Sequence, residues 1–430
     1  MRLSVARPDR VRCIVVAMTI PRLLAGLTIA AGALWSSLSA QTAPVRAFGG
    51  FRLVDGTGEV IDNAAMLVQD GRITAVGPLA KITVPLDAVR VPLFGKTVIP
   101  GLINAHGHVN DAVRDLRVYA AYGVTTVISL GGEAPAVFAA RDSQASPTLS
   151  RARVLMAGPV LSPTTPEEAR TQVAELANQK VDFVKIRVDD NLGTSTKMPA
   201  SVYRAVIDEA HSRGLRVAVH LFYLEDAKDL LEAGADFIAH SVRDAYADAD
   251  LIARFRRSGV CFTPTLMREV STFVYEETPA FFSDPLFTAY SDQAMAATLR
   301  EPARQEAVRA SASAQRYKVA LEIAANNLKI LSDAGIPVAM GTDTGPVGRF
   351  QGYFELLELE LMVKAGLTPR QALAAATRDA ARCLRLDADL GTLEAGKWAD
   401  FVVLGADPLE DIANVKKIES VWIAGNRVGR

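Results

Sequence analysis

Residues 98–108 read Val98-Ile-Pro-Gly-Leu-Ile-Asn-Ala-His-Gly-His108. An unbroken apolar run is what a parallel strand covered on both faces requires. Here the run ends in two histidines. Seven more short apolar segments follow, at 125–130, 153–157, 183–188, 216–220, 237–240, 260–263 and 337–343. Helical stretches separate most of them, among them 200–213, 224–231 and 247–257, and further helices follow at 352–365 and 369–384. Eight strands, most followed by a helix, predict an α/β protein whose core is a (β/α)8 TIM barrel over residues 98–388.

Outside that core the pattern changes. Between residues 41 and 97 short apolar runs alternate with turns such as Asp55-Gly-Thr-Gly and Asp70-Gly. An Asp-Gly pair between apolar runs is a strong hairpin signal. The carboxyl end repeats the style at 400–404 and 420–425. Neither end has enough strands to close a core alone. Segments 41–97 and 389–430 are therefore expected to share one small composite β-sandwich domain.

Residues 1–40 read as a secretory signal peptide. Arg2, Arg7, Arg10, Arg12 and Arg22 precede an apolar run from Leu23 to Leu34, and small residues lead to Ser39-Ala40. Cleavage after Ala40 would give a periplasmic or secreted protein; a start at Met18 would give a more compact leader. The apolar run is short for a span, so no stable membrane anchor is expected.

The chain has 430 residues, with 47 basic and 48 acidic side chains. That balance lacks the basic excess of a nucleic-acid binder, and half the residues are hydrophobic, which excludes wholesale disorder. Three cysteines cannot make a disulfide framework. Cys261 and Cys383 are expected to be buried and inert; a disulfide between them stays open, with nothing in the sequence to support it.

The histidines carry the functional argument. There are five, and four fall at strand ends: His106 and His108 after the first strand, His220 after the fifth and His240 after the sixth. His106 and His108 are two apart, so they share a face. Asp343 ends the eighth strand. Functional groups of such barrels gather at the carboxyl ends of the strands. Four imidazoles and a carboxylate there would suit a divalent metal, zinc above all. His211 lies inside a helix and is expected to be surface or structural.

Lys185 interrupts the fourth strand, where a buried ammonium is costly. Three outcomes stay open on chemistry alone: carboxylation by CO2 to a bidentate oxygen ligand, pairing with an acid such as Asp343, or reaching out to the rim. A long connection, residues 267–313, holds six of the 28 aromatics between 273 and 290. It reads equally as a lid or dimer surface and as locally packed short helices.

These pieces together resemble the amidohydrolase superfamily, most closely its imidazolonepropionase-like and Xaa-Pro-dipeptidase (prolidase)-like branch. The matching segments are 98–108, Phe183-Val-Lys-Ile186, Val217-Ala-Val-His220, Phe237-Ile-Ala-His-Ser241, Gly341-Thr-Asp-Thr344 and the tail from Gly391 to Leu404. Asn104 stands where many members carry Asp. The resemblance implies two divalent metal ions. His106, His108 and Asp343 would bind the inner one, His220 and His240 the outer one, and carboxylated Lys185 (N6-carboxylysine) would bridge both. It further implies a bridging hydroxide as nucleophile, with Asp343 as catalytic proton shuttle to the leaving nitrogen.

Arg187 shares the Lys185 face two residues on, Tyr223 and Arg243 each follow a histidine by three residues, and Arg268 and Arg349 follow the seventh and eighth strands; all five are expected to meet the substrate. An arginine fork is the usual clamp for a carboxylate, which points to a small molecule such as a dipeptide or N-acyl amino acid. The rivals are a mononuclear deaminase or cyclic-amide hydrolase, and a non-catalytic scaffold on the same fold. Homo-oligomer formation is left open by the sequence.

Overall fold

The computed structural model describes residues 44–429; the leader 1–40 lies outside the described residues. The first strands are β1 (Arg46–Val54), β2 (Val60–Gln69), β3 (Arg72–Pro78), β4 (Val89–Pro92) and β5 (Thr97–Pro100). β2 and β3 form the hairpin the sequence announces. Its central residues Asp70 and Gly71 both have positive φ, +49° and +80°, the geometry of a turn that matches strand twist.

Seven parallel strands follow: β6 (Leu102–Gly107), β7 (Val124–Ser129), β8 (Arg153–Met156), β9 (Phe183–Val188), β10 (Arg216–Leu221), β11 (Phe237–Ile238) and β12 (Cys261–Phe262). They make one sheet ordered β6-β7-β8 and another ordered β12-β11-β10-β9. Three isolated parallel bridges are also present: Leu161 to Ile186, Phe262 to Val338, and Gly107 to Thr344. The helices between them are α1 (Ala112–Ala121), α2 (Pro135–Asp142), α3 (Pro166–Asn178), α4 (Ala200–Ser212), α5 (Leu224–Ala233) and α6 (Ala249–Ser258). Asp111, Thr165 and Asp248 cap α1, α3 and α6 by accepting backbone N–H bonds.

Strand alternation sends side chains into two cores. Val184, Ile186, Val217 and Val219 join the apolar layer beneath the helices. Ile103, Ala105, Ile128, Phe183, Ala218, Phe237 and Ala339 form a second layer on the other face. Because the period is two, Lys185 pairs in register with Ala218, and Arg187 with His220.

The chain then runs through α7 (Leu266–Val270), α8 (Pro285–Tyr290), α9 (Gln293–Leu299), α10 (Pro302–Arg309), α11 (Ala312–Asp333), α12 (Tyr353–Lys364), α13 (Pro369–Ala375) and α14 (Arg378–Leu384). In the aromatic connection Phe281, Phe282 and Phe287 pack on one another. Phe282 and Phe287 are buried and contact Phe350, and Phe287 also meets Tyr353. Finally β13 (Phe401–Leu404), β14 (Ile418–Ile423) and β15 (Asn426–Arg427) return to the first sheet, ordered β15-β14-β13-β5-β1-β2-β3 with β4 beside β1. The two ends of the chain thus share one sheet.

Two readings of the sequence need correction. The apolar run 98–106 is divided: β5 belongs to the sheet shared by the chain ends, and β6 starts the parallel strands. The break is at Gly101, where a Cβ would lie 2.1 Å from the Thr125 Oγ1; only glycine lets the backbone pass. Cys261 and Cys383 are also not free thiols. They form a disulfide between β12 and α14, residues 122 apart with Cα atoms 5.9 Å apart. Their pairing is tertiary, so nothing local in sequence marked it. Among the described residues no helix is long and apolar enough to cross a membrane.

Candidate metal centre

The metal-capable side chains lie in or just beyond the parallel strands: Lys185 within β9, His220 near the end of β10, and His240 two residues past β11. His106 lies in β6, and His108 just beyond it. The backbone N–H of His106 donates to Asn104 Oδ1 at 2.9 Å. His108 Nδ1 contacts the carbonyl of Gly131 at 3.0 Å, while its Nε2 is 2.9 Å from Asp343 Oδ1. His106 Nε2 lies 3.5 Å from the same oxygen, and His240 Nε2 4.0 Å from Asp343 Oδ2. His240 Nδ1 contacts Thr265 Oγ1 at 2.7 Å, which leaves Nε2 facing the centre. The His220 ring lies 4.2 Å from that of His240. Lys185 Nζ stands 3.5 Å from His106 Nε2. Side chains separated by up to 237 positions thus gather here, with His220 packed on His240 but its Nε2 turned to Asp189 at 2.7 Å.

Burial governs the electrostatics. It holds the imidazoles of His106 and His240 far below their usual range and that of His220 down to about 3, although Asp189 opposes the shift at His220. The rings are therefore neutral lone-pair donors. Burial lowers Lys185 to about 7, with Asp343 opposing and Arg187 assisting. Burial alone would raise Asp343; Arg349, His106 and His108 outweigh it and keep the group ionised.

The donor set fits a divalent cation. His106, His240 and Asp343 are all buried and each offers a ligand atom within 4.8 Å of the others. His106 Nδ1 and His240 Nε2 are buried without a hydrogen-bond partner. Uncharged imidazole nitrogens and an ionised carboxylate are the ligands that zinc and similar ions take.

The five residues assigned to substrate divide. Arg187 is held by Asp189 and Asn191. Tyr223 donates to Asp190 at 2.7 Å. Arg349 donates to Asp343 Oδ2 at 2.5 Å and is part of the centre itself. Arg243 and Arg268 are brought together over one carboxylate. Arg243 Nε lies 3.2 Å from Glu269 Oε1, and Arg268 Nη1 donates to Oε2 at 3.0 Å. Two guanidiniums against one buried carboxylate leave an excess positive charge. Arg243 Nη2 and Arg268 Nε are buried without partners.

Sequence reasoning missed Asp189, whose buried carboxylate lies 2.7 Å from His220 Nε2. Its place immediately after β9 was a usable signal. It also missed Glu269 and Thr265, which act only through tertiary contacts. His211 meets Asp236 on the exposed side of α4, away from the centre. A cavity of about 620 Å³, lined by Ile99, Cys261, Pro337, Leu373, Arg378 and Cys383 among others, opens at the opposite ends of the strands. It holds no histidine, and the chemistry lies with the converging ligands rather than with that volume.

The family model described as Amidohydrolase family matches residues 97–428. An imidazolonepropionase of Pseudomonas putida is 26% identical over 399 residues, covering 87% of this chain and 94% of the relative. A crystal structure from Bifidobacterium longum, assigned as a prolidase, superposes with a TM-score of 0.75 at 28% identity, covering 90% of this chain and 95% of the other. A Xaa-Pro dipeptidase with bound methionine shares the fold, with a TM-score of 0.73 at 20% identity over 90% of this chain and all of that one. With the family model spanning most of its length and the ligand cluster in place, the chain belongs to the amidohydrolase family and is a hydrolase acting on carbon–nitrogen bonds.

Proposed function

We propose that the protein hydrolyses the amide bond of a dipeptide or N-acyl amino acid, with its site at the mouth of a closed (β/α)8 barrel. The bridges at Leu161, Val338 and Thr344, which link the two parallel sheets into a circuit, support closure. The sheet built from both chain ends supports a composite β domain of 41–97 with 389–430 beside a barrel of 98–388.

The observation that carries the functional reading is the convergence of His106, His108, His220, His240, Lys185 and Asp343. In this reading the six hold two zinc ions, which would supply Lewis acidity towards the scissile carbonyl and the attacking water. Asp343, within reach of His106, His108 and His240, takes the proton of that water and delivers it to the leaving nitrogen. Lys185, lowered to about 7, holds a fraction of free amine near neutrality. Its nitrogen adds to the carbon of CO2 and gives up a proton, which converts a buried cation into an oxygen ligand.

Arg243 and Arg268, with their unpaired N–H groups, receive the substrate carboxylate. Steady-state assays test this with Xaa-Pro dipeptides, N-acyl amino acids and the terminal amides of both. The acids are expected to turn over at least tenfold faster in kcat/KM, with two metal ions per chain after dialysis. Equal rates on the amides would defeat the carboxylate clamp.

One observation favours a second reading. Imidazolonepropionases are among the relatives, two of them matched over 81% and 87% of this chain. A cyclic-amide hydrolase would open an imidazolone-type lactam and retain one metal ion. The leader and the Cys261–Cys383 disulfide together support export to the periplasm or beyond, since such bonds persist in oxidising compartments.

A further inference from the structure

Two residues beside the centre have backbones that side-chain-bearing residues avoid. Asp343, which ends the eighth strand segment, has φ +58°, and Thr265, which follows β12, has φ +48°. For a β-branched residue such as Thr265 this left-handed conformation is a genuine outlier. Such conformations persist only where the surroundings over-determine them.

Both are braced by one helix. α12 carries Glu355 and Glu358, three positions apart and so on one face. Both side chains are fully buried. Glu355 Oε1 accepts from the hydroxyls of Thr342 at 2.8 Å and Thr344 at 2.7 Å, the two neighbours of Asp343, and from Asn104 Nδ2. Asn104 in turn holds the His106 backbone. Glu358 accepts the backbone N–H of Leu266 at 2.8 Å and of Met267 at 2.6 Å, the two residues after Thr265. Thr265 in turn contacts His240 Nδ1.

We infer that Glu355 and Glu358 are positioning residues: one helix face fixes the left-handed turns that aim Asp343 and His240 at a common point. Neither carboxylate touches the centre. Glu355 acts through Thr342, Thr344 and Asn104, and Glu358 through Thr265. The inference rests on the metal-hydrolase reading for its consequence, but its geometry can be read separately.

The two glutamates differ in a way that makes the test sharp. Glu355 uses only Oε1; Oε2 has no partner. Glu355→Gln can keep every bond with its amide oxygen, whereas Glu355→Met keeps none. Glu358 uses both oxygens, so Glu358→Gln must turn an NH2 towards a backbone N–H.

With cobalt in place of the native metal, the visible absorption spectrum of Glu355→Gln should match wild type. Glu355→Met and Glu358→Gln should shift or weaken it and lose metal to a chelator at least tenfold faster. On the best substrate of the panel, Glu355→Met and Glu358→Gln should lower kcat about 10- to 100-fold, with KM within about threefold, while Glu355→Gln stays near wild type. If Glu355→Met does not fold, the double variant T342V/T344V removes the same two hydroxyl bonds at nearly constant shape and is held to the same outcome. Crystal structures of wild type and variants report whether Asp343 and Thr265 leave the left-handed region. Unchanged backbones together with wild-type spectra would overturn the positioning role. A wild type that binds no metal, or cleaves nothing in the panel, would instead overturn the hydrolase reading and leave the backbone result to judge this one.

Discussion

The two ends of the parallel strands are built on opposite terms. At the carboxyl ends, buried polar atoms lack partners: His106 Nδ1, His240 Nε2, Arg243 Nη2, Arg268 Nε and Glu355 Oε2. Two non-glycine residues there are left-handed. At the amino ends the charged groups are paired. Arg153 donates twice to Asp400, at 2.7 and 3.2 Å, and once to the carbonyl of Gln144. Asp400 also accepts the N–H of Ala424 at 2.7 Å. Arg216 donates to the carbonyls of Cys383 and Leu384, which ties α14 against β10 beside the disulfide. One end leaves buried polar atoms unpaired, most of them facing the centre or the arginine pair beside it, and the other holds its charges in closed pairs. Stability and reactivity are separated along the strand direction, as the fold's architecture favours.

Matched substitutions of two buried aspartates should break or sharpen that contrast most strongly. Asn tolerates the left-handed backbone of Asp343, but an amide cannot carry the transferred proton. Asp343→Asn is expected to lower kcat about 10³-fold or more, and to cost less stability than Asp400→Asn because the partner it leaves, Arg349, is part-exposed. Asp400→Asn leaves Arg153 buried without its countercharge, which costs about 3–5 kcal/mol, with kcat unchanged wherever the protein is folded. Steady-state kinetics and urea unfolding on both variants check this. Equal losses of kcat in two folded variants would show that the ends are not separate.

The disulfide supplies the next effect. It closes a loop of 122 residues, and bonds of this kind typically stabilise by about 2–4 kcal/mol by restricting the unfolded chain. The ladders it spans are short: β11 and β12 have two residues each, and one bridge joins Phe262 to Val338. The C261S/C383S variant should lose that amount of stability in urea while retaining metal content and kcat at 25 °C. Loss of metal with stability intact would mean that the closed end controls the open one.

How far the sequence carries follows from which forces are local. The period of two placed His106 and His108 on one face and Lys185 beside Arg187, and apolar runs marked the parallel strands. Asp70-Gly71 declared its own turn, because its residues favour positive φ. What stayed hidden depends on neighbours brought in by folding. Glu355 and Glu358 look like ordinary helix-surface acids until Thr342, Thr344, Leu266 and Met267 arrive at their oxygens. In sequence Arg243 and Arg268 do not stand apart from Arg187, Tyr223 and Arg349; only the fold shows that they share Glu269 while the other three meet nearer acids. The divided run at Gly101 reflects the close approach of Thr125, a contact no composition records.

The smallest expected effect is a pH slope from the closed end. Asp182 precedes β9, accepts the Met156 N–H at 2.9 Å and lies 3.5 Å from Arg141. Burial raises its pKa, and the Met156 N–H and Arg141 oppose burial without cancelling it. A carboxyl with a raised native pKa binds its proton more tightly folded than unfolded. Its contribution is therefore fully present below the unfolded value near 3.8 and is lost as pH rises through the folded value. Asp182→Asn removes this titration but keeps an oxygen for Met156. Groups at the other end titrate alike in both proteins and cancel in the difference. Melting temperatures from pH 3 to 7 should show wild type gaining on Asp182→Asn towards the acid end, by about 1 °C. A gap that widens instead with rising pH would mean that Arg141 and the backbone donor outweigh burial, and that the closed end is held by charge more than by packing.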